Sequence, residues 1–263
     1  LKRNFLRAVI CAVLCAGLLA GCGGSDGVKI KKRPEVKSEQ LQFQQPADDA
    51  PVAVFTTSEG QFKAVLYPDE APLAVYNFTQ LAEEGVYDGL TFHRVIPDFI
   101  IQSGDPTGSG TGGTTCWNGV MFPVELSYKL HHYSGALAMA HTGDDTTTNA
   151  SQFYVVQTPA DSLTSELEQK MKDAGIGEDV IKTYKDAGGA PYLDNLNTVF
   201  GQVYSGMETV DTISAVADPG AKDRPANEIT LISVKITTYA EADGVAQAEM
   251  DKLAASSASQ SQG

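Results

Sequence analysis

Phe92-His93-Arg94-Val95-Ile96-Pro97-Asp98-Phe99-Ile100-Ile101-Gln102-Ser103-Gly104-Asp105 is the stretch of this 263-residue chain that carries most information. Two apolar runs flank a Pro-Asp turn, so the segment reads as two short strands. A period of two puts Phe92, Arg94 and Ile96 on one face of the first strand, with His93 and Val95 opposite. Beyond the turn, Ile100 and Gln102 share a face of the next strand. An arginine set among aromatic and aliphatic side chains can simply pair with an acid, or it can do chemistry.

Outward from this stretch the pattern stays short and alternating. Val52–Thr57 and Gln61–Leu66 read as a hairpin across Ser58-Glu59-Gly60. Ala136–Met139, Gln152–Val156, Val199–Val203 and Ile229–Thr237 are further strand candidates. Asp69-Glu70-Ala71-Pro72 reads as a helix start, with Val75, Phe78, Leu81 and Ala82 as the buried face and Gly85 as the stop. Val210–Val216 is a second core helix. Eight short strands and few helices predict a mainly β domain built as a closed antiparallel barrel. Residues 161–189 break the rhythm with two helical stripes, Leu163/Leu167/Met171 and Val180/Ile181/Tyr184. They predict a helical insertion packed on the outside of the barrel.

The ends differ from the body. Lys2, Arg3 and Arg7 precede an apolar run over 8–20, too short for a comfortable membrane span, and Leu19-Ala20-Gly21-Cys22 follows. This is the pattern of a signal peptide over 1–21, and its ending resembles a bacterial lipobox with Cys22 as the acylated residue. A lipid-anchored protein on the extracytoplasmic face of a bacterial membrane is therefore expected. Residues 22–50 read as a flexible tether; its Lys/Arg cluster is either a headgroup contact or a solvated linker. The folded domain is expected over 51–240. Residues 241–263, rich in Ala, Ser and Gln, read as a frayed helix or a disordered tail. Formal net charge is −14, and since no acid precedes Cys22 while three of the 19 Lys and Arg do, the remainder carries −17. That surface excludes the basic footprint of a nucleic-acid binder.

Several motifs fail on context. Gly108–Gly113 fits G-x-G-x-x-G but opens no helix, so it predicts no nucleotide site. His131-His132 has no third ligand at metal spacing, and adjacent residues point apart, so the two read as a surface pair and no metal is expected. Cys116 is the one cysteine after Cys22 and reads as an incidental thiol. Asn77-Phe78-Thr79 and Asn149-Ala150-Ser151 are glycosylation sequons by composition only. No nucleophile elbow or metalloprotease helix occurs.

Phe92–Asp105 resembles, over its whole length, the cyclophilin signature F-H-R-[IV]-[IV]-x-x-F-x-x-Q-x-G-D. Four more blocks follow in order: Gly108–Gly113 as the glycine-rich loop, Ala138-Met139-Ala140, Asn149–Tyr154, and Leu193-Asp194 with Val199–Val203. The likeness runs from about Val52 to Thr238, apart from 161–189. It implies an eight-stranded cyclophilin-like barrel with two core helices and peptidyl-prolyl cis–trans isomerase activity needing no cofactor.

By this resemblance Arg94, Gln102 and Phe99 are catalytic. Ile100, Gln152, Tyr154, Tyr192, Leu193 and Asn197 bind substrate, and the backbone at Ala140 and His141 pairs with the peptide. Such a site suits the reaction. Twisting an amide costs about 18–20 kcal/mol in lost resonance, and no bond breaks. A guanidinium can favour the twisted form by bonding the prolyl nitrogen's restored lone pair. The expected partners are proline-containing segments of folding proteins. His141 stands where many members have Asn, Tyr154 where they have Phe, Tyr192 where Trp is common, and Asn197 where His or Tyr is usual. These departures imply weak binding of cyclosporin-type inhibitors. They also leave open a second reading, a cyclophilin-like module that binds proline peptides or chaperones with little turnover.

Overall fold

Alternation of inward and outward side chains is realised in a single curled sheet. The computed structural model describes residues 33–141, 143, 145–217 and 223–260. The signal-peptide reading, Cys22 and the first part of the tether lie outside the described residues. The strands are β1 (Pro51–Thr57), β2 (Gly60–Leu66), β3 (Leu90–Thr91), β4 (Arg94–Ile96), β5 (Ile100–Ser103), β6 (Ala136–Met139), β7 (Phe153–Val156), β8 (Val199–Ser205) and β9 (Thr230–Thr238). All pairings are antiparallel, in the order β3-β9-β1-β2-β8-β6-β7-β5-β4.

The closed eight-stranded barrel expected from the sequence is corrected in one place. The strand read over 91–95 is two strands, β3 and β4, which form the two ends of a nine-stranded ladder. They are joined through Phe92-His93 rather than by hydrogen bonds. The cause is non-local: Phe92 N–H donates to Ile229 O (3.0 Å), whereas Val95 N–H donates to Asp223 O (2.6 Å). The break also resets the side-chain phase. Phe92 and Val95 are both fully buried in the central core, while Arg94 and Ile96 are only half-buried.

Inside the curl, Phe55, Phe62, Phe78, Phe92, Phe153 and Phe200 form one apolar cluster with Ile101, Leu137 and Met139. Burying each ring is worth about 1.5–3 kcal/mol. Helix α1 (Pro72–Glu83) sends Val75, Phe78, Leu81 and Ala82 into this core, as its periodicity predicts. Asp69 and Glu70 precede it, however. Its free Leu73 and Ala74 N–H groups are instead accepted by the Glu125 carboxylate at 3.0 and 2.9 Å. A carboxylate from a distant loop thus does what a local cap normally does. The second core helix, α4 (Met207–Ala215), buries Val210 and Ile213.

The insertion is helical, as read. Helices α2 (Ser165–Asp173) and α3 (Glu178–Ala187) close Met171, Ile181 and Tyr184 over Tyr133, with Phe43 against the same cluster. That last contact corrects the tether reading over 33–50. Gln42 is buried and its amide exchanges two bonds with the His131 backbone (2.9 and 2.7 Å). Arg33 makes a two-pronged ion pair with Asp211 (2.9 and 2.6 Å). A polar segment docks when its side chains satisfy backbone and charged groups of the body. The tail, too, is ordered over α5 (Ala242–Gln260). Ala242 and Ala246 pack on Val52 and Val54, Ser233 bonds Glu249 (2.8 Å), and Lys63 pairs with Asp243.

Candidate active site

Register assembles the site. Arg94 lies opposite Gln102, Gln102 opposite Tyr154, and Tyr154 opposite Ala138. Opposed residues share a face, so these four side chains form a row across β4, β5, β7 and β6 on the outside of the curl.

One end of the row is oriented from the glycine-rich loop. The Asp105 carboxylate accepts the N–H groups of Thr107 (2.7 Å), Gly110 (2.6 Å) and Gly112 (3.1 Å), together with the Thr107 hydroxyl (2.8 Å). Burial opposes its ionisation, but these donors outweigh burial and lower its pKa to about 2. A Cβ on Gly112 would overlap Asp105 Oδ1, which is why the loop needs glycine there. The dinucleotide-like pattern is therefore a cradle for the chain's own carboxylate.

So closed, the loop turns the carbonyls of Gly110 and Gly112 toward Gln152 Nε2 (3.2 and 2.6 Å). Gln152 Oε1 then accepts from Gln102 Nε2 (2.8 Å), which leaves Gln102 Oε1 for Arg94 Nη1 (3.4 Å). Each amide has one donating and one accepting end, so the loop carbonyls set the sense of the whole chain. On its other side Arg94 Nε lies 3.5 Å from Asp223 Oδ2, both side chains being about half exposed.

Beside the guanidinium lies an apolar surface. Ile100, Tyr154 and Ala138 form one cluster with Phe99, Ala140 and Leu193. The Tyr192 ring stands 6.0 Å from that of Phe99 and is 55% exposed, so it adds to this surface from its edge. The Ala140 N–H is already taken by Gln152 O (3.0 Å). His141 Nε2 lies 3.2 Å from Leu196 O, and Asn197 Nδ2 donates to Met139 O (3.4 Å). These two residues tie the 139–141 segment to the 193–197 turn. The structure thus joins Arg94, Gln102 and Gln152 in one hydrogen-bonded chain, and Phe99, Ile100, Ala140, Tyr154 and Leu193 in one apolar cluster.

The histidine pair is corrected. His132 is 1% exposed, and His131 and His132 each present Nδ1 to Asp194 at 2.9 Å. They converge on this one carboxylate, which also accepts the His132 N–H (2.8 Å). Among the described residues no group of His, Cys, Asp and Glu is arranged to hold a metal. Cys116 is a free thiol whose pKa burial pushes up, away from a reactive thiolate. Asn77 and Asn149 are fully buried, bonded to Ala150 O (3.0 Å) and Pro123 O (3.1 Å) respectively.

The family model of the cyclophilin type peptidyl-prolyl cis–trans isomerases matches residues 52–236, which span the curled sheet and this whole row. The chain belongs to that family. As a cyclophilin it is an enzyme of the peptidyl-prolyl isomerase class. A protein of Staphylococcus haemolyticus named as a peptidyl-prolyl cis–trans isomerase is 42% identical over 68% of this chain and 88% of its own. A protein of Streptococcus pyogenes named as a bifunctional phosphatase/peptidyl-prolyl cis–trans isomerase is 38% identical over 75% of this chain. This chain spans only 42% of that relative's length. Among solved structures, a Cryptosporidium parvum cyclophilin obtained in the presence of the dipeptide Ala-Pro superposes with a TM-score of 0.57 at 28% identity. It covers 71% of this chain and 99% of its own.

Two parts of this cyclophilin's site escape a reading of the sequence. Asp223 sits in a loop far from Arg94 along the chain, and no local pattern announces it. Asp194 carried a usable signal: an acid directly after an apolar pocket residue needs partners if it is buried. The adjacent histidines supply them.

Proposed function

We propose that this cyclophilin accelerates rotation about X–Pro bonds in proteins folding outside the cytoplasm, with Arg94 as its central catalytic group. The observation that carries this reading is the Gln152–Gln102–Arg94 chain beside the apolar surface of Phe99, Ile100, Tyr154 and Leu193. A proline ring set on that surface brings its nitrogen toward the guanidinium. As the amide twists, the nitrogen regains a lone pair and accepts a hydrogen bond that the planar form does not, which is selective binding of the transition state. Gln102 and Gln152 hold Arg94 and contact the substrate backbone. The backbone of Ala140 and His141 pairs with the peptide as an added strand. Tyr192 and Asn197 line the far side, and their difference from the common residues weakens binding of cyclosporin-type inhibitors.

A proline-peptide isomerisation assay tests the assignment. Arg94→Ala should lower kcat/KM about 100-fold or more, and equal activity in wild type and variant would overturn it. The extracytoplasmic, lipid-anchored location rests on Leu19-Ala20-Gly21-Cys22 and the basic and apolar run before it. Labelled palmitate incorporated by the full chain and lost in Cys22→Ala supports it, and labelling that persists excludes Cys22. A second reading, a proline-peptide binding module with little turnover, is favoured by the Asp223 carboxylate beside Arg94. Peptide binding without rate enhancement would select it.

A further inference from the structure

We propose that His132 is a positioning residue for the proline pocket, fastening the Tyr154 ring to the buried Asp194 carboxylate. This rests on the assignment of the Arg94 face as the isomerase site.

Asp194 Oδ1 accepts from His132 Nδ1 (2.9 Å) and the His132 N–H (2.8 Å); Oδ2 accepts from His131 Nδ1 (2.9 Å) and the Tyr184 hydroxyl (2.8 Å). Burial raises the carboxyl's pKa, but the two histidine hydrogen bonds outweigh burial and hold it far below the ordinary range. An ionised carboxylate only accepts, so each of these neighbours must donate. His132 therefore carries a proton on Nδ1. In the neutral ring Nε2 is then an acceptor, and the Tyr154 hydroxyl 3.1 Å away donates to it. The result is a directed chain, Tyr154 to His132 to Asp194, through groups that are 4%, 1% and about 10% exposed.

This chain gives the Tyr154 hydroxyl a use. Tyr154 lies in the middle of the row beside Gln102, within the cluster of Ile100, Phe99 and Leu193. With its hydroxyl tied inward, the ring offers only carbon to a proline. Leu193 directly precedes Asp194 in the chain, so the same carboxylate anchors both Tyr154 and Leu193. It also reaches the insertion through Tyr184 of α3. Two groups that would grip the proline ring are thereby held in fixed relation by one buried acid. Held groups of this kind bind ground state and transition state alike, so their loss appears in KM.

Tyr154→Phe removes only the hydroxyl. His132→Asn keeps a donor where Nδ1 stood, so Asp194 stays satisfied while the bond to Tyr154 is lost. With a proline peptide as substrate, each variant should raise KM about three- to tenfold, the scale of one hydrogen bond, with kcat within about twofold of wild type. The double variant should be no worse than either single one. The ¹⁵N shift of His132 Nε2 should report an accepted hydrogen bond in wild type and its loss in Tyr154→Phe. Unchanged KM in Tyr154→Phe, additive effects, or a fall in kcat alone would each overturn the proposal. Should Arg94→Ala retain full activity, the site assignment itself fails, whereas an inactive Arg94→Ala beside an unaltered Tyr154→Phe removes this inference alone.

Discussion

Arg94 Nε and Asp223 Oδ2 stand 3.5 Å apart, a distance at which charge is felt without a tight hydrogen bond being made. Of the two readings of an arginine among apolar residues, the pairing with an acid is the one seen directly. An acid lies near the guanidinium, and the Nη side remains turned to Gln102. With both side chains half exposed, the pair contributes little to stability. With Arg94 as the proposed catalytic group, its effect falls on the potential that a developing prolyl lone pair meets. Asp223→Asn should leave the urea midpoint nearly unchanged and raise kcat/KM about two- to fivefold at low salt. The gain should shrink at about 0.5 M salt, where screening is strong. A fall in kcat/KM would instead make Asp223 an orienting residue.

The hydrogen-bonded chain from the glycine-rich loop to Arg94 makes its own prediction. Gln152→Leu removes the middle donor and acceptor together, so Gln102 is free to turn and Arg94 loses its fixed neighbour. We expect kcat/KM to fall about tenfold or more, with Gln102→Leu comparable and the double variant far from additive. Isomerisation kinetics on the two single variants and the double variant, each with its melting temperature, would decide it. Independent, multiplicative losses would mean that the two glutamines act separately.

Where the sequence spoke clearly, the reason was local. Val52–Thr57, Gln61–Leu66 and Ala136–Met139 become strands because each alternates or runs apolar between turn residues. The α1 face is legible because Val75, Phe78, Leu81 and Ala82 repeat at helical spacing. Arg94, Gln102 and Phe99 stand out through a motif that sits in one segment, and the structure sets Arg94 opposite Gln102 on neighbouring strands. What stayed hidden was non-local. The break at Phe92-His93 depends on Ile229 O and Asp223 O, which no alternation rule contains. The docking of Gln42 depends on a backbone amide at His131, and polar composition alone reads as a tether. The histidine pair is misread from sequence because the rule that neighbours diverge holds for a regular strand, whereas His131 and His132 lie outside the strands and share the distant Asp194 carboxylate.

Docking of the N-terminal segment can be tested by its weakest assumption, the ion pair of Arg33 with Asp211. The two side chains are 24% and 11% exposed, and Arg33 also donates to Ser134 (2.5 Å) and Gln157 O (2.9 Å). Gln157 Oε1 in turn accepts the Asp98 N–H (2.8 Å), at the turn before Phe99. Breaking a half-buried pair of this kind costs about 1–3 kcal/mol, between the surface and the buried cases. Arg33→Ala should therefore lower the urea midpoint measurably. An unchanged midpoint would restore the view of this segment as a tether.

The last prediction concerns acid. Asp105 has a folded-state pKa of about 2 against an ordinary 3.8, because the donors of its own loop overcome burial. A carboxyl whose pKa is depressed on folding stabilises the fold above its unfolded value, and that contribution is lost as pH falls toward the folded value. For Asp105 the window is about pH 4 down to pH 2. Asp105→Asn replaces one accepting oxygen by a donor that faces the N–H groups of Gly110 and Gly112 at one position or that of Thr107 at the other. It should cost about 1–3 kcal/mol at neutral pH and flatten the dependence of stability on pH in this window. Since the same loop orients Gln152, activity should fall with it even where the variant remains folded. Urea titrations of wild type and Asp105→Asn between pH 2 and pH 6 measure the first effect. A wild-type slope preserved in the variant would assign the acid sensitivity to other carboxylates.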